Sequence, residues 1–210
     1  MGGGASAYSS REVDGWCRSL EVWPVDARTW YKLGTAGGGI VSSVSRTNVD
    51  CYCRALELQP EHEDAWYAWR NLGMAGGGKI HGNFFTKMDC YCKVLEMRPD
   101  HADAWCNLGV IGGGVVNGIT YTQLECLCKA LEVNPDDANT WYNIGVAGGG
   151  TVNGRSFNQV DCLLRALEMQ PTDADAWYNL GVAGGGVRRG ETFTKEACFK
   201  RALELRGEGE

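Results

Sequence analysis

The sequence predicts an all-α protein, an α-solenoid of stacked antiparallel helix pairs with about 11 helices, and three observations carry that prediction. Prolines stand only at Pro24, Pro60, Pro99, Pro135 and Pro171, a 36-residue step broken once by a 39-residue one. Six residues after each proline comes a tryptophan: Trp30, Trp66, Trp105, Trp141 and Trp177. A glycine triplet then begins at Gly37, Gly76, Gly112, Gly148 and Gly184. One supersecondary unit is copied five times.

The chain opens in mid-repeat, since "GGGASAYSSREVDGWCRSLEVWP" aligns with "GGGIVSSVSRTNVDCYCRALELQP". Residues 1–24 are therefore expected to form a half-repeat with a single capping helix. The repeats follow at 25–60, 61–99, 100–135, 136–171 and 172–206, with a frayed polar tail at 207–210. Each repeat divides into two helices. In "DADAWYNLGVA", Trp177, Leu180 and Gly181 share a helical face, and Asp173 and Asp175 suit the positive N-terminal end. The glycines end this helix. A second helix begins near Thr194, with Phe199, Ala202 and Leu203 on one stripe. Asp50 with Arg54, Asp89 with Lys93, Glu125 with Lys129 and Asp161 with Arg165 are spaced as i,i+4 ion pairs on a solvated face. Proline then stops the second helix. The stretch "EHEDAWYAWRNLGMAGGG" carries three extra residues, nearly one helical turn, so Trp66 and Trp69 compete for one slot. A longer first helix is expected there, with Trp69 in the core and Trp66 capping a neighbour; a local bulge is the alternative.

The order Trp-x-x-Leu-Gly, then an aromatic or leucine, then Ala-Leu-Glu-x-x-Pro is read in one unit at Trp105, Leu108, Gly109, Leu127, Ala130 and Pro135. It resembles the tetratricopeptide repeat (TPR), over residues 16–205. The resemblance implies a right-handed superhelix whose first helices line a concave face. Two departures are evident. The period is 36 rather than about 34 residues, the excess falling in a Gly-Gly-Gly-x-Val-x-Gly turn of Sel1-like length. The tyrosine expected late in the first helix is a glycine, so that helix should be shorter and its turn wider.

Composition excludes several kinds of chemistry. The chain has 210 residues, 44% of them hydrophobic, and a net charge of −6 with mixed signs, which argues against nucleic acid as a partner. No apolar run is long enough to span a bilayer and no leader precedes the repeats, so a reducing, cytoplasmic setting and ten reduced cysteines are expected. The Cys-x-Cys pairs at 51–53, 90–92 and 126–128 are poor metal motifs, because residues two apart on a helix point about 200° apart. Cys51, Cys90, Cys126, Cys162 and Cys198 occupy one slot in successive repeats, on the order of 10 Å apart, and read as buried thiols. His62, His81 and His101 make no metal pattern. The glycine triplets follow helices and lack the lysine of a phosphate loop. No catalytic constellation stands out, so no enzyme activity, cofactor or metal is expected. Gly2 and Ser6 fit an N-myristoylation signal, although the repeat already accounts for Gly2. One acyl chain binds a bilayer only marginally, so a membrane partner, as a peripheral protein, is expected only if Gly2 is acylated.

Two residues past each core tryptophan stand Lys32, Asn71, Asn107, Asn143 and Asn179. The resemblance implies that this slot holds extended peptides, and an amide suits the task because it offers two donors and an acceptor. Its neighbours are Tyr31, Arg70, Cys106, Tyr142 and Tyr178, then Thr35, Met74, Val110, Val146 and Val182. Lys32 and Arg70 favour an acidic peptide or a C-terminal carboxylate. The competing reading is that each asparagine bonds the adjacent repeat. The expected function is a non-catalytic scaffold binding a protein or peptide partner; the alternative is a structural protein that self-associates by stacking end to end.

Overall fold

In the computed structural model, residues 8–188 and 190–207 are described, so Gly2 lies outside the described residues. Eleven helices and ten short strands appear among them. After α1 (Ser10–Val22), helices come in pairs: α2 (Ala27–Thr35) with α3 (Asn48–Leu58), α4 (Ala65–Met74) with α5 (Lys87–Met97), α6 (Ala102–Val110) with α7 (Gln123–Val133), α8 (Ala138–Val146) with α9 (Gln159–Met169), and α10 (Ala174–Val182) with α11 (Lys195–Arg206). The chain forms two compact units, one up to Pro99 and one from Asp100.

The helical framework agrees with the all-α expectation, and the first helices are short, nine residues in α6, α8 and α10. The turn between paired helices differs from it. Each is a two-stranded antiparallel hairpin: β1 (Gly38–Val41) with β2 (Val44–Thr47), β3 (Gly77–Ile80) with β4 (Asn83–Thr86), β5 (Gly113–Val116) with β6 (Ile119–Thr122), β7 (Gly149–Val152) with β8 (Arg155–Asn158), and β9 (Gly185–Arg188) with β10 (Glu191–Thr194). The first four tips are two-residue turns with positive φ at both positions, as at Asn117 and Gly118 (49° and 77°) and Asn153 and Gly154 (49° and 75°). Such turns match the twist of paired strands, and Asn-Gly is their strongest sequence signal.

The second and third glycines of each triplet have separate reasons. Gly149 has φ of 110°, and a Cβ there would collide with the Phe157 carbonyl across the hairpin. The third glycine meets the preceding second helix. A Cβ on Gly39 would lie 2.7 Å from the Cys17 sulfur, and one on Gly78 2.6 Å from the Cys53 sulfur. A carboxylate four residues after the thiol then receives the hairpin tip: Ser42 N–H donates to Glu21 (3.1 Å) and His81 N–H to Glu57 (3.2 Å). The hairpin is thus the key by which a repeat engages the one before it.

Each hairpin also closes its own helix pair. Val41, Ile80, Val116 and Val152 are buried. On the second strand, Phe85, Tyr121, Phe157 and Phe193 pack against Trp69, Trp105, Trp141 and Trp177 at centroid distances of 5.0, 4.9, 4.9 and 5.3 Å. The six-residue spacing from proline to tryptophan has a direct cause. The indole N–H donates to the prolyl carbonyl, Trp30 to Pro24 (2.8 Å), Trp141 to Pro135 (2.7 Å) and Trp177 to Pro171 (2.8 Å).

Two expectations are corrected here. The acidic residues read as i,i+4 partners are capping-box members instead. Asp50, Asp89, Glu125 and Asp161 accept from the backbone of Thr47, Thr86, Thr122 and Asn158, the last strand residues, which cap the second helices in return. The basic residues pair forward, Arg54 with Glu57, Lys93 with Glu96 and Lys129 with Glu132, while Arg165 lies over the Trp141 and Phe157 rings. In the repeat with the insertion, Trp69 is in the core, 4% exposed, but α4 gains only one residue over α6. The other inserted residues form the loop before it, because Trp66 stacks on Tyr67 (3.6 Å) under Arg98 rather than extending the buried stripe.

Loss of one capping box should be measurable: Thr122→Ala is expected to lower stability by about 1 kcal/mol in urea unfolding. Burial alone would raise the Glu57 carboxyl, but the Arg54 guanidinium and the His81 N–H bring it below its ordinary 4.5. A group so lowered stabilises the fold above its unfolded value and loses that contribution as pH falls through the folded one. Glu57→Gln should therefore flatten the fall in stability below about pH 4.5, read by urea unfolding across the acid range.

Candidate functional site

The first helices carry the residues that the sequence nominates. In α2, Tyr31 is half-buried and Lys32 exposed; in α4, Arg70 and Asn71 are half-buried. Asn71 donates to the Tyr31 hydroxyl (3.4 Å) and accepts from Arg70 (3.4 Å). In the second unit, Asn107 donates to the Asp103 carbonyl (2.7 Å) one turn earlier. Asn179 donates to the Tyr142 hydroxyl (3.0 Å) and the Asp175 carbonyl (2.9 Å). Asn143 is half-buried. Tyr178 is exposed, packs against Phe199 at 5.4 Å and lies under Arg206.

The asparagines are therefore half-buried amides, and Asn71 and Asn179 each donate to a tyrosine hydroxyl on the preceding first helix. Their donors are partly used in joining repeats. The carbonyl oxygens of Asn107 and Asn179 accept no hydrogen bond from the described residues and remain for an incoming N–H. Burial pushes the phenols of Tyr31 and Tyr142 upward, with Asp175 and Asp173 adding to the effect at Tyr142, so both are donors at neutral pH.

Lys32 and Tyr31 open onto a groove of about 520 Å³ between α2, the end of α3 and α4. Its wall adds Arg28, His62, Asp64 and Tyr67, which the sequence reading did not nominate. Arg28 stands four residues before Lys32, so helical spacing could have placed both on one side of α2. Neither makes an ion pair with the described residues. Tyr31 and Tyr67 rings are 6.2 Å apart, and the inserted residue His62 supplies part of the opposite wall.

The cysteines offer no reactive centre. All ten are reduced thiols, nine of them buried. Burial, with Asp50, Asp89 and Asp161 adjoining, pushes Cys51, Cys90 and Cys162 up to about 12. A thiol in that state is neither nucleophile nor metal ligand at neutral pH. No group of three or more His, Cys, Asp or Glu residues able to hold a metal occurs among the described residues. Among the same residues, no helix is long and apolar enough to cross a membrane.

Comparison with known proteins adds the following. A family model described as tetratricopeptide repeat matches residues 162–183, running from α9 through α10. A solved structure described as the crystal structure of MamA is similar at 15% sequence identity, covering 93% of this chain and 87% of that one, with a TM-score of 0.40. No curated protein matches the chain significantly. The matched segment takes in most of α9, the loop after it and α10, a second helix followed by the first helix of the next pair, and this order of elements recurs along the chain.

Thiol chemistry gives a direct check. In the native protein at neutral pH, Cys51, Cys90 and Cys162 should react with an alkylating reagent more than about a hundredfold slower than an exposed cysteine, and all ten cysteines should label after denaturation.

Proposed function

We propose that the chain is a non-catalytic scaffold that holds an extended peptide segment of a partner protein along the face of its first helices. The observation that carries this reading is the groove beside Tyr31 and Lys32, with the Asn71 amide bonded to the Tyr31 hydroxyl. Two cations one helical turn apart, Arg28 and Lys32, make no ion pair among the described residues and favour an acidic segment at this groove. Tyr31 and Tyr67 give an adjacent side chain an apolar surface with a polar edge. Along the second unit, Asn107 and Asn179 offer carbonyl acceptors to peptide N–H groups, and Tyr142, Asn143 and Tyr178 flank them.

Stacking of copies end to end gains less support. The second helices α3 and α7 present Cys53 and Cys128 to the hairpin that follows, whereas α11 presents Lys200, 80% exposed, at that slot. A protein scaffold would act in the cytoplasm, and attachment to a membrane would depend on acylation of Gly2.

Display of random peptides against the immobilised protein is the test. Enriched sequences should combine acidic and aromatic or aliphatic residues. Arg28→Ala with Lys32→Ala should weaken their binding by about tenfold to a hundredfold, about 1.4–2.8 kcal/mol, without loss of folding. A display that enriches nothing, or binding indifferent to both this pair and Asn107→Ala with Asn143→Ala, overturns the reading.

A further inference from the structure

Trp69 breaks a rule that its counterparts keep. Trp30, Trp141 and Trp177 each donate the indole N–H to the carbonyl of the proline six residues earlier. The proline before Trp69 stands nine residues back, because three extra residues, Glu61, His62 and Glu63, lengthen the loop. Trp69 is nevertheless as buried as the others, 4% exposed against 5% for Trp30, and packs on Phe85 as they pack on their hairpin aromatics. Its N–H makes no hydrogen bond with any described residue. No fully buried side-chain polar atom among the described residues lacks a partner, so this N–H is reachable from outside. Trp69 lines a cavity of about 450 Å³ whose wall also holds Pro60, Ile80, Phe85 and Met97.

We propose that this cavity is a binding site for a proline-bearing turn of a partner polypeptide, whose prolyl carbonyl accepts the Trp69 N–H. The same chain displays the complementary group three times, since a prolyl carbonyl is what satisfies this indole wherever the spacing permits. An indole donor held in an apolar wall gains most from an acceptor that arrives with its own apolar ring. Ile80, Phe85 and Met97 provide the surface for that ring, and the volume suits a few residues. Charge selects a neutral carbonyl over a carboxylate. Lys93 is already engaged by Glu96 at 2.7 Å, and Glu61 adds a second carboxylate to the rim. The site lies on the hairpin side of α4 and does not depend on peptide binding by the first-helix face.

The test follows the eight tryptophan indole N–H resonances of the full-length protein labelled with nitrogen-15, with Trp69 assigned by Trp69→Phe. The probes are the capped peptide acetyl-Leu-Gln-Pro-Asn-amide and its alanine analogue, acetyl-Leu-Gln-Ala-Asn-amide. The proline peptide should shift the Trp69 signal downfield and saturably while the other signals hold, and the analogue should bind about tenfold more weakly. A chain shortened by Glu61, His62 and Glu63 restores the six-residue spacing. In it, Pro60 should take the indole N–H and the peptide should no longer move the signal. A Trp69 signal unmoved at millimolar peptide, equal binding of the two peptides, or undiminished binding by the shortened chain would each overturn the proposal. If the shortened chain does not fold, the titration of the unaltered protein decides.

Discussion

The structure depends on the approach of a side-chain-free backbone to a helix. The third glycine of the triplet lets a hairpin strand lie against Cys17 or Cys53 closely enough for the thiol to meet backbone rather than another side chain. A Cβ at Gly39 or Gly78 would push the hairpin off its helix and take the tip away from Glu21 or Glu57. Small, polarisable sulfur suits that contact, since a larger side chain would overfill the junction. The cysteines that resemble metal ligands in sequence are therefore packing residues, and their burial keeps them protonated.

A second constraint acts within each repeat. The tryptophan is held between a hairpin aromatic and the carbonyl of the proline that ended the previous helix. One indole thus ties the incoming turn, the first helix and the hairpin together. Where the loop is lengthened, as before Trp69, the packing half of this arrangement persists and the hydrogen-bonding half does not. The apolar contact is non-directional and tolerates a longer loop, whereas a hydrogen bond needs its acceptor at one position.

Amides on the first helices have hydrogen-bonding capacity beyond the links they make. Asn71 and Asn179 join neighbouring first helices through Tyr31 and Tyr142. Both readings of the asparagine slot, a link between repeats and a peptide contact, thus have a physical footing, because an amide has more hydrogen-bonding capacity than one link consumes. The cationic groove in the first unit has no such internal use, and the inserted loop builds one of its walls.

Sequence by itself determined the repeat, the helix pairs and the core slots. Proline, tryptophan and glycine recur at fixed spacing, and helix formation reads that local pattern residue by residue. The hairpins were legible in principle at Asn117-Gly118 and Asn153-Gly154, but helical periodicity on both sides hid strands only four residues long. Aspartates such as Asp50 look the same as ion-pair partners or as caps until the strand before the helix fixes the conformation of Thr47. Only the tertiary structure decided which groups were left over among the described residues: Arg28 and Lys32 without counter-ions, and the Trp69 indole without its carbonyl. Whether a donor is satisfied depends on where a distant backbone comes to rest, and that position is set by packing across repeats rather than by any local run of residues.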